Sequence, residues 1–166
     1  MIQKNFKKIL FNFIIILVIF LIDRVSKVYI LKLFETGNVN DIYLTEYLNL
    51  YLIWNKGMAF GLFSFNDKLI YNLISLIIAS IIVLIIIMII KSDGFKKYSL
   101  ILILGGSLGN FFDRIYFTAV PDFIDFHINS FHWFIFNVAD IFITLGVICL
   151  IYAEIFFDKG KNENFI

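Results

Sequence analysis

Four long apolar runs, separated by short polar stretches, dominate the chain. The first goes from Ile9 to Ile22 with only Asn12 interrupting it, and apolar character resumes through Leu33 after Asp-Arg-Val-Ser-Lys at 23–27. No small-x-small cleavage site follows the run, so it reads as an uncleaved membrane helix over about 9–31 and not as a signal peptide. The second run, 69–90, carries no charge. A third is expected over about 98–117 and a fourth over about 133–157. Each approaches or exceeds the roughly 20 residues that cross a bilayer as a helix.

The connection between the first two runs breaks this pattern. Leucines stand at 48, 50 and 52, and tyrosine, asparagine and tyrosine at 47, 49 and 51. That alternation has the period of a strand. Turn residues at 36–41 and 55–57 bracket it. A small β-cradle on the bilayer surface is therefore expected within 36–64, with a further surface segment over 118–132. The fold class is an all-α membrane protein: four transmembrane helices in a single domain, 1–166, carrying that cradle.

Composition agrees with this. The chain has 166 residues, of which 61% are hydrophobic, and a mean hydropathy of +0.91. That excludes an ordinary soluble domain. A net charge of +1 gives no basic surface for nucleic acid. The one cysteine, Cys149, sits in an apolar run and reads as a packing residue, with no partner for a disulfide. His127 and His132 lie five apart in a loop and match no zinc signature, so no metal and no cofactor are expected.

Charge also sets an orientation. Eight lysines fall before the first run, between the second and third, or in the tail, against three in 32–68 and no lysine or arginine in 118–132. By the positive-inside rule both termini lie in the cytoplasm. Asp23, Asn55, Asn110, Arg114, Asp122, Asn137 and Asp140 then gather at the opposite, outer face. A carboxylate at mid-bilayer costs about 2.5–3.5 kcal/mol on insertion scales, so such residues point to function. Asp122 and Asp140 stand beside apolar runs with no adjacent basic residue. Brought together they would share a proton and act as an acid/base pair. Asp23 and Lys27, four apart, share a helix face, and Arg114 is placed to hold a carboxylate. Gly105, Gly106 and Gly109 suit close helix packing.

Two readings remain on these grounds: an intramembrane aspartyl hydrolase, or a small transporter whose aspartates carry protons. A membrane scaffold with a polar knot is a third. The scarcity of polar residues on the cytoplasmic side favours a one-sided site over a path.

Five blocks in order resemble lipoprotein signal peptidase, the type II signal peptidase family. They are Ile22-Asp23-Arg24 with Lys27, Asn55-Lys56-Gly57-Met58-Ala59-Phe60-Gly61, Gly105 through Arg114, Val120-Pro121-Asp122-Phe123-Ile124-Asp125-Phe126, and Phe136-Asn137-Val138-Ala139-Asp140. The resemblance covers nearly the whole chain. It implies a bacterial inner-membrane aspartyl endopeptidase that cuts prolipoproteins before a diacylglyceryl-modified cysteine. It implies Asp122 and Asp140 as the catalytic dyad, with Asp23, Asn55, Gly57, Asn110, Arg114 and Asn137 binding substrate or shaping the site. Asp125 competes with Asp122 on spacing, and the family pattern selects the first aspartate of Asp-Phe-Ile-Asp. Also implied are a short outer helix between the third and fourth spans, contact with membrane lipids, and binding of globomycin-type inhibitors. Arg24 stands where many relatives carry glutamine.

Overall fold

The computed structural model describes residues 2–37, 41–57, 68–129 and 131–157. In chain order the elements are α1 (Ile2–Gly37), β1 (Asp41–Thr45), β2 (Leu48–Asn55), α2 (Lys68–Lys91), α3 (Gly94–Phe117), β3 (Val120–Ile128), β4 (Phe131–Phe136) and α4 (Val138–Phe157). All four helices are long and apolar enough to cross a membrane. This is a multi-pass membrane protein, with one small sheet among the described residues.

The central helix is α3, which packs against α1, α2 and α4. Half of its most apolar stretch is buried, against 11–17% for the other three. Small residues make this possible. A Cβ on Gly106 would run into the Ala139 carbonyl of α4 and Ile143. A Cβ on Gly109 would stand 2.5 Å from the Asp23 carboxylate of α1. Both contacts need the backbone to approach without a side chain, which is how helices associate where lipid offers no hydrophobic drive. Beneath this layer, Ile82 and Ile85 of α2 pack with Leu100, Ile103 and Leu104 of α3. Large apolar side chains elsewhere on α1, α2 and α4, such as Leu76, Ile77 and Ile148, are exposed and suit contact with acyl chains.

At one end of the bundle lies a four-stranded antiparallel sheet in the order β1-β2-β3-β4. At 36 residues, α1 is about 54 Å long by helical rise, well beyond the ~30 Å hydrocarbon core. The helix is therefore long enough to leave turns outside the hydrocarbon for other contacts, and its C-terminal turns make them with the sheet. There Ile30 and Phe34 pack with Phe123 of β3, flanked by Leu50 and Leu52 of β2. The sheet is seated on the end of α1.

The strand expected around residues 48–54 is β2, and β1 lies in the predicted cradle. Of the turn at 36–41 and the glycine-bearing loop at 55–61, residues 38–40 and 58–61 lie outside the described residues. Two expectations are corrected. The segment after α3 is not a short helix: β3 and β4 form a hairpin that completes the sheet. Phe131-His-Trp-Phe-Ile-Phe136 is aromatic and β-branched, a composition that favours strand. For the same reason α4 begins at Val138 and not at 133. Thr118 ends α3 in the left-handed conformation (φ 57°), which turns the chain directly into β3 and Asp122.

Candidate active site

The site forms where β2, β3, α3 and the start of α4 meet. Asn137 is the residue before α4, and Asp140 stands three further on. The Asp140 N–H donates to Asn137 Oδ1 (3.2 Å), and the Asn137 N–H donates to Asp140 Oδ2 (3.1 Å). This is a reciprocal capping box built from asparagine and aspartate. It satisfies two backbone donors and fixes the Asp140 carboxylate at the positive end of the α4 dipole. The remaining Asp140 oxygen, Oδ1, accepts from Asn110 Nδ2 of α3 (2.8 Å).

Asp122 reaches the same place from β3. Its Oδ1 accepts from Asn137 Nδ2 (2.6 Å) and its Oδ2 from Asn55 Nδ2, at the end of β2 (2.9 Å). Asn137 thus bridges the two carboxylates, bonding Asp122 with its amide and Asp140 with its backbone. Each carboxylate accepts a donor at both oxygens, and every one of these donors is neutral. Burial raises the Asp122 carboxyl from its ordinary 3.8 to about 6, and the Asp140 charge pushes it the same way. The Asn55 and Asn137 hydrogen bonds and the Lys27 charge pull it partly back.

Behind this pair lies a second cluster. Asp23 and Asp113 are fully buried, and Lys27 is 1% exposed. Lys27 Nζ meets Asp113 Oδ2 at 2.7 Å and Asp23 Oδ1 at 3.0 Å, and it donates to Asn110 Oδ1 at 2.9 Å. Arg24 pairs with both oxygens of Asp113 and with Asp23, and its guanidinium lies 5.0 Å from the Phe112 ring centroid. Asp23 Oδ1 also accepts the Ala139 N–H (3.0 Å), so α1 caps the first turn of α4. The expected Asp23–Lys27 pair is present. The expected role of Arg114 is not: among the described residues it holds no carboxylate. Its Nη2 donates to the Gly57 carbonyl (2.7 Å), and its Nη1 is buried without a hydrogen-bond partner. Gly57 in turn donates its N–H to Asn55 Oδ1 (3.0 Å), which orients the amide that holds Asp122.

A cavity of about 380 Å³ opens onto this arrangement. Asn55, Asn110, Arg114, Asp122, Asn137 and Asp140 are among its polar lining residues. Its apolar wall comes from Ile78, Ile81 and Ile82 of α2 and Ile143 of α4. Six of the eight residues singled out from sequence therefore line one cavity. Gly57 touches it through Arg114, and Asp23 stands behind it. Asp125 points elsewhere, into a contact with His132. Sequence reading missed Ser107 and Thr144, which also line the cavity. Ser107 lies three residues before Asn110 and seven before Arg114, a helical spacing that would have placed it on the same face.

The model of the family described as signal peptidase (SPase) II matches residues 15–156. The chain belongs to the signal peptidase II family. Membership makes it a peptidase of the aspartic type. Among similar proteins, a lipoprotein signal peptidase of Pelagibacter ubique (strain HTCC1062) is 57% identical over 159 residues, covering 96% of each chain. That of Anaplasma phagocytophilum (strain HZ) is 40% identical over 152 residues, covering 90% of this chain and 94% of its own. A solved structure described as a bacterial membrane enzyme aligns with a TM-score of 0.71 at 29% identity, over 88% of this chain and 93% of that one. A second structure described in the same terms aligns at 0.70 and 29% identity, over 87% of each.

Proposed function

We propose that this protein removes signal peptides from diacylglyceryl-modified prolipoproteins, cutting immediately before the lipidated cysteine, with Asp122 and Asp140 as the catalytic dyad. One observation carries the reading. Two carboxylates from separate elements are bridged by one asparagine and held only by neutral donors, beside a cavity with an isoleucine wall. A buried carboxylate kept for structure alone is normally neutralised by a cation, as Asp23 and Asp113 are here. Leaving a pair without that neutralisation is costly and gives the pair a shared proton.

In this mechanism one carboxyl of the Asp122–Asp140 pair holds the shared proton and hydrogen-bonds the scissile carbonyl. The other, ionised, takes a proton from water as the water oxygen attacks the carbonyl carbon. The tetrahedral intermediate collapses when the C–N bond breaks and the leaving amine receives that proton. The carboxyl product keeps the water oxygen. The buried Nη1 of Arg114, lacking a partner in the protein, is available to a substrate carbonyl. The isoleucine wall suits the apolar signal peptide and the acyl chains. Asp23, Asn55, Gly57, Asn110 and Asn137 act by positioning. In the proposed setting, the bacterial inner membrane, both termini are cytoplasmic and the sheet end faces outward. There water reaches the dyad while the diacylglycerol stays in lipid. Globomycin-type inhibitors would occupy the same cavity.

The test is gel-resolved cleavage of a diacylglyceryl-modified prolipoprotein by purified protein. Cleavage before the lipidated cysteine, blocked by globomycin, is the expected result. No cleavage in a competent detergent or lipid system would overturn the reading and turn attention to proton flux in liposomes.

A further inference from the structure

On the sheet, outside the cavity, β3 and β4 carry three side chains that the proposed mechanism does not use. Asp125 and His127 stand two apart on β3, and His132 pairs with His127 across the hairpin. The Asp125 carboxylate is 4% exposed, yet among the described residues it pairs with no lysine or arginine. Its partners are the two imidazoles: His132 Nδ1 lies 2.9 Å from Oδ2, and His127 Nδ1 lies 3.8 Å from the same oxygen, beyond hydrogen-bonding reach. His127 is 8% exposed, and its Nδ1 is buried with no hydrogen-bond partner. The two rings stack with centroids 5.0 Å apart. One ligand atom from each of the three residues lies within 4.8 Å of the others.

Asn49 of β2 is the register partner of Asp125, so both side chains leave the same face of the sheet. The Asn49 Oδ1 is also buried without a partner. Two buried acceptor-capable atoms without partners, flanking a buried anion without a strong cation, are an unusual concentration of unmet polar groups.

We propose that Asp125, His127 and His132 bind a divalent transition-metal ion, with Zn²⁺ as the best match to two imidazoles and a carboxylate. Tetrahedral zinc ligands stand about 3.3 Å apart, by bond lengths of ~2.0–2.2 Å. His132 and Asp125 are already near that separation, and only His127 has to close in. The ion neutralises Asp125, gives the His127 Nδ1 a bond and leaves a fourth position for water or the Asn49 oxygen. It ties β3 to β4 at the far end of the hairpin whose other end presents Asp122 and leads into Asn137. Linear spacing does not show this trio, because the hairpin pairing is what brings the three together.

This proposal stands apart from the peptidase reading and is tested without it. Tag-free, chelator-stripped full-length protein in detergent is titrated with ZnCl₂ by calorimetry, alongside thermal unfolding. One Zn²⁺ per chain and a raised unfolding midpoint are expected. His132→Ala, at the exposed edge of the trio, is expected to weaken binding at least tenfold. His127→Gln, which keeps the bulk of the buried side chain, is expected to do the same. Bound Co²⁺ should show the intense visible bands of four-coordinate geometry. Absence of Zn²⁺ binding by wild type, or unchanged binding by folded His132→Ala, overturns the proposal.

Discussion

Two carboxylate pairs lie side by side in this protein, and they are built on opposite principles. Asp23 and Asp113 are sealed, at 0% exposure, with Arg24 and Lys27 supplying two positive charges for two negative ones. Asp122 and Asp140 are held at both oxygens too, but by Asn55, Asn110, Asn137 and backbone, none of which carries charge. The first pair is closed electrostatically and sterically. The second is held in place and left unneutralised beside a cavity. Being hydrogen-bonded does not separate the two pairs here; the charge of the donors does. Lys27 joins the two sets, because it donates to the Asn110 oxygen whose amide donates to Asp140.

The sharpest way to break the comparison is to neutralise a member of the open pair. Asp122→Asn or Asp140→Asn is expected to lower cleavage by at least ~10³-fold, the scale of losing a dyad member, while the protein stays folded. Gel cleavage and a detergent-solubilised melting curve, read together, check this. Substantial turnover by either variant would remove the dyad assignment. The same change in the closed pair should do the reverse. Asp113→Asn leaves Lys27 and Arg24 facing a single carboxylate, and breaking a buried pair in this way costs about 3–5 kcal/mol. A large fall in unfolding midpoint is expected, with cleavage per folded molecule largely kept. An unchanged midpoint would show that the closed cluster is not what secures α1 to α3.

These roles were unequally legible in the sequence. Six residues that line the cavity were found because unneutralised polar groups next to apolar runs stand out against a hydrophobic chain, and because five motif blocks fixed their order. β2 was visible through its alternating leucines. The β3–β4 hairpin was not. The first half of β3 is buried on both faces through Phe123, so it shows no alternation, and Phe131–Phe136 merges into the apolar run of α4. Arg114 was read as a carboxylate partner because its neighbours in sequence are acidic. In the fold its partner is a backbone carbonyl at Gly57, 57 residues away. Lys27 was paired with Asp23 from helical spacing alone, but its bond to Asp113 joins helices that no local pattern connects.

The open pair also carries a pH signature. The Asp122 carboxyl is raised from 3.8 to about 6, so its contribution to stability is fully present below about 4 and is lost as pH rises through 6. The size is on the order of 3 kcal/mol, since each tenfold change in proton affinity is worth about 1.36 kcal/mol. Subtracting the stability curve of Asp122→Asn from that of wild type should therefore give a difference that moves against wild type between pH 4 and 7. For cleavage, the singly protonated pair disappears on the alkaline side, so kcat/KM, which reports the free enzyme, should decline above about pH 6. A flat stability difference across this window would contradict the burial that sets the open pair apart.

The smallest effect tests how much neutralisation the closed pair needs. Arg24 is the more exposed of its two cations, with 13% of the side chain accessible against 1% for Lys27. It also bears on the Phe112 ring, so its stem and guanidinium contribute packing as well as charge. Arg24→Gln keeps a polar donor but leaves Lys27 as the sole cation between Asp23 and Asp113. Because Lys27 already bonds both carboxylates and the partial exposure of Arg24 admits water, the loss should be about 1–2 kcal/mol, well below the cost of removing a buried partner outright. Cleavage should be unchanged, since Arg24 makes no bond to Asn110, Asp122 or Asp140. Urea unfolding beside a cleavage assay measures both quantities. A loss as large as that of Asp113→Asn would mean that the cluster works as an indivisible four-charge unit. A marked fall in kcat at unchanged stability would mean that the closed pair is not insulated from the open one, and that Lys27 transmits its state through Asn110.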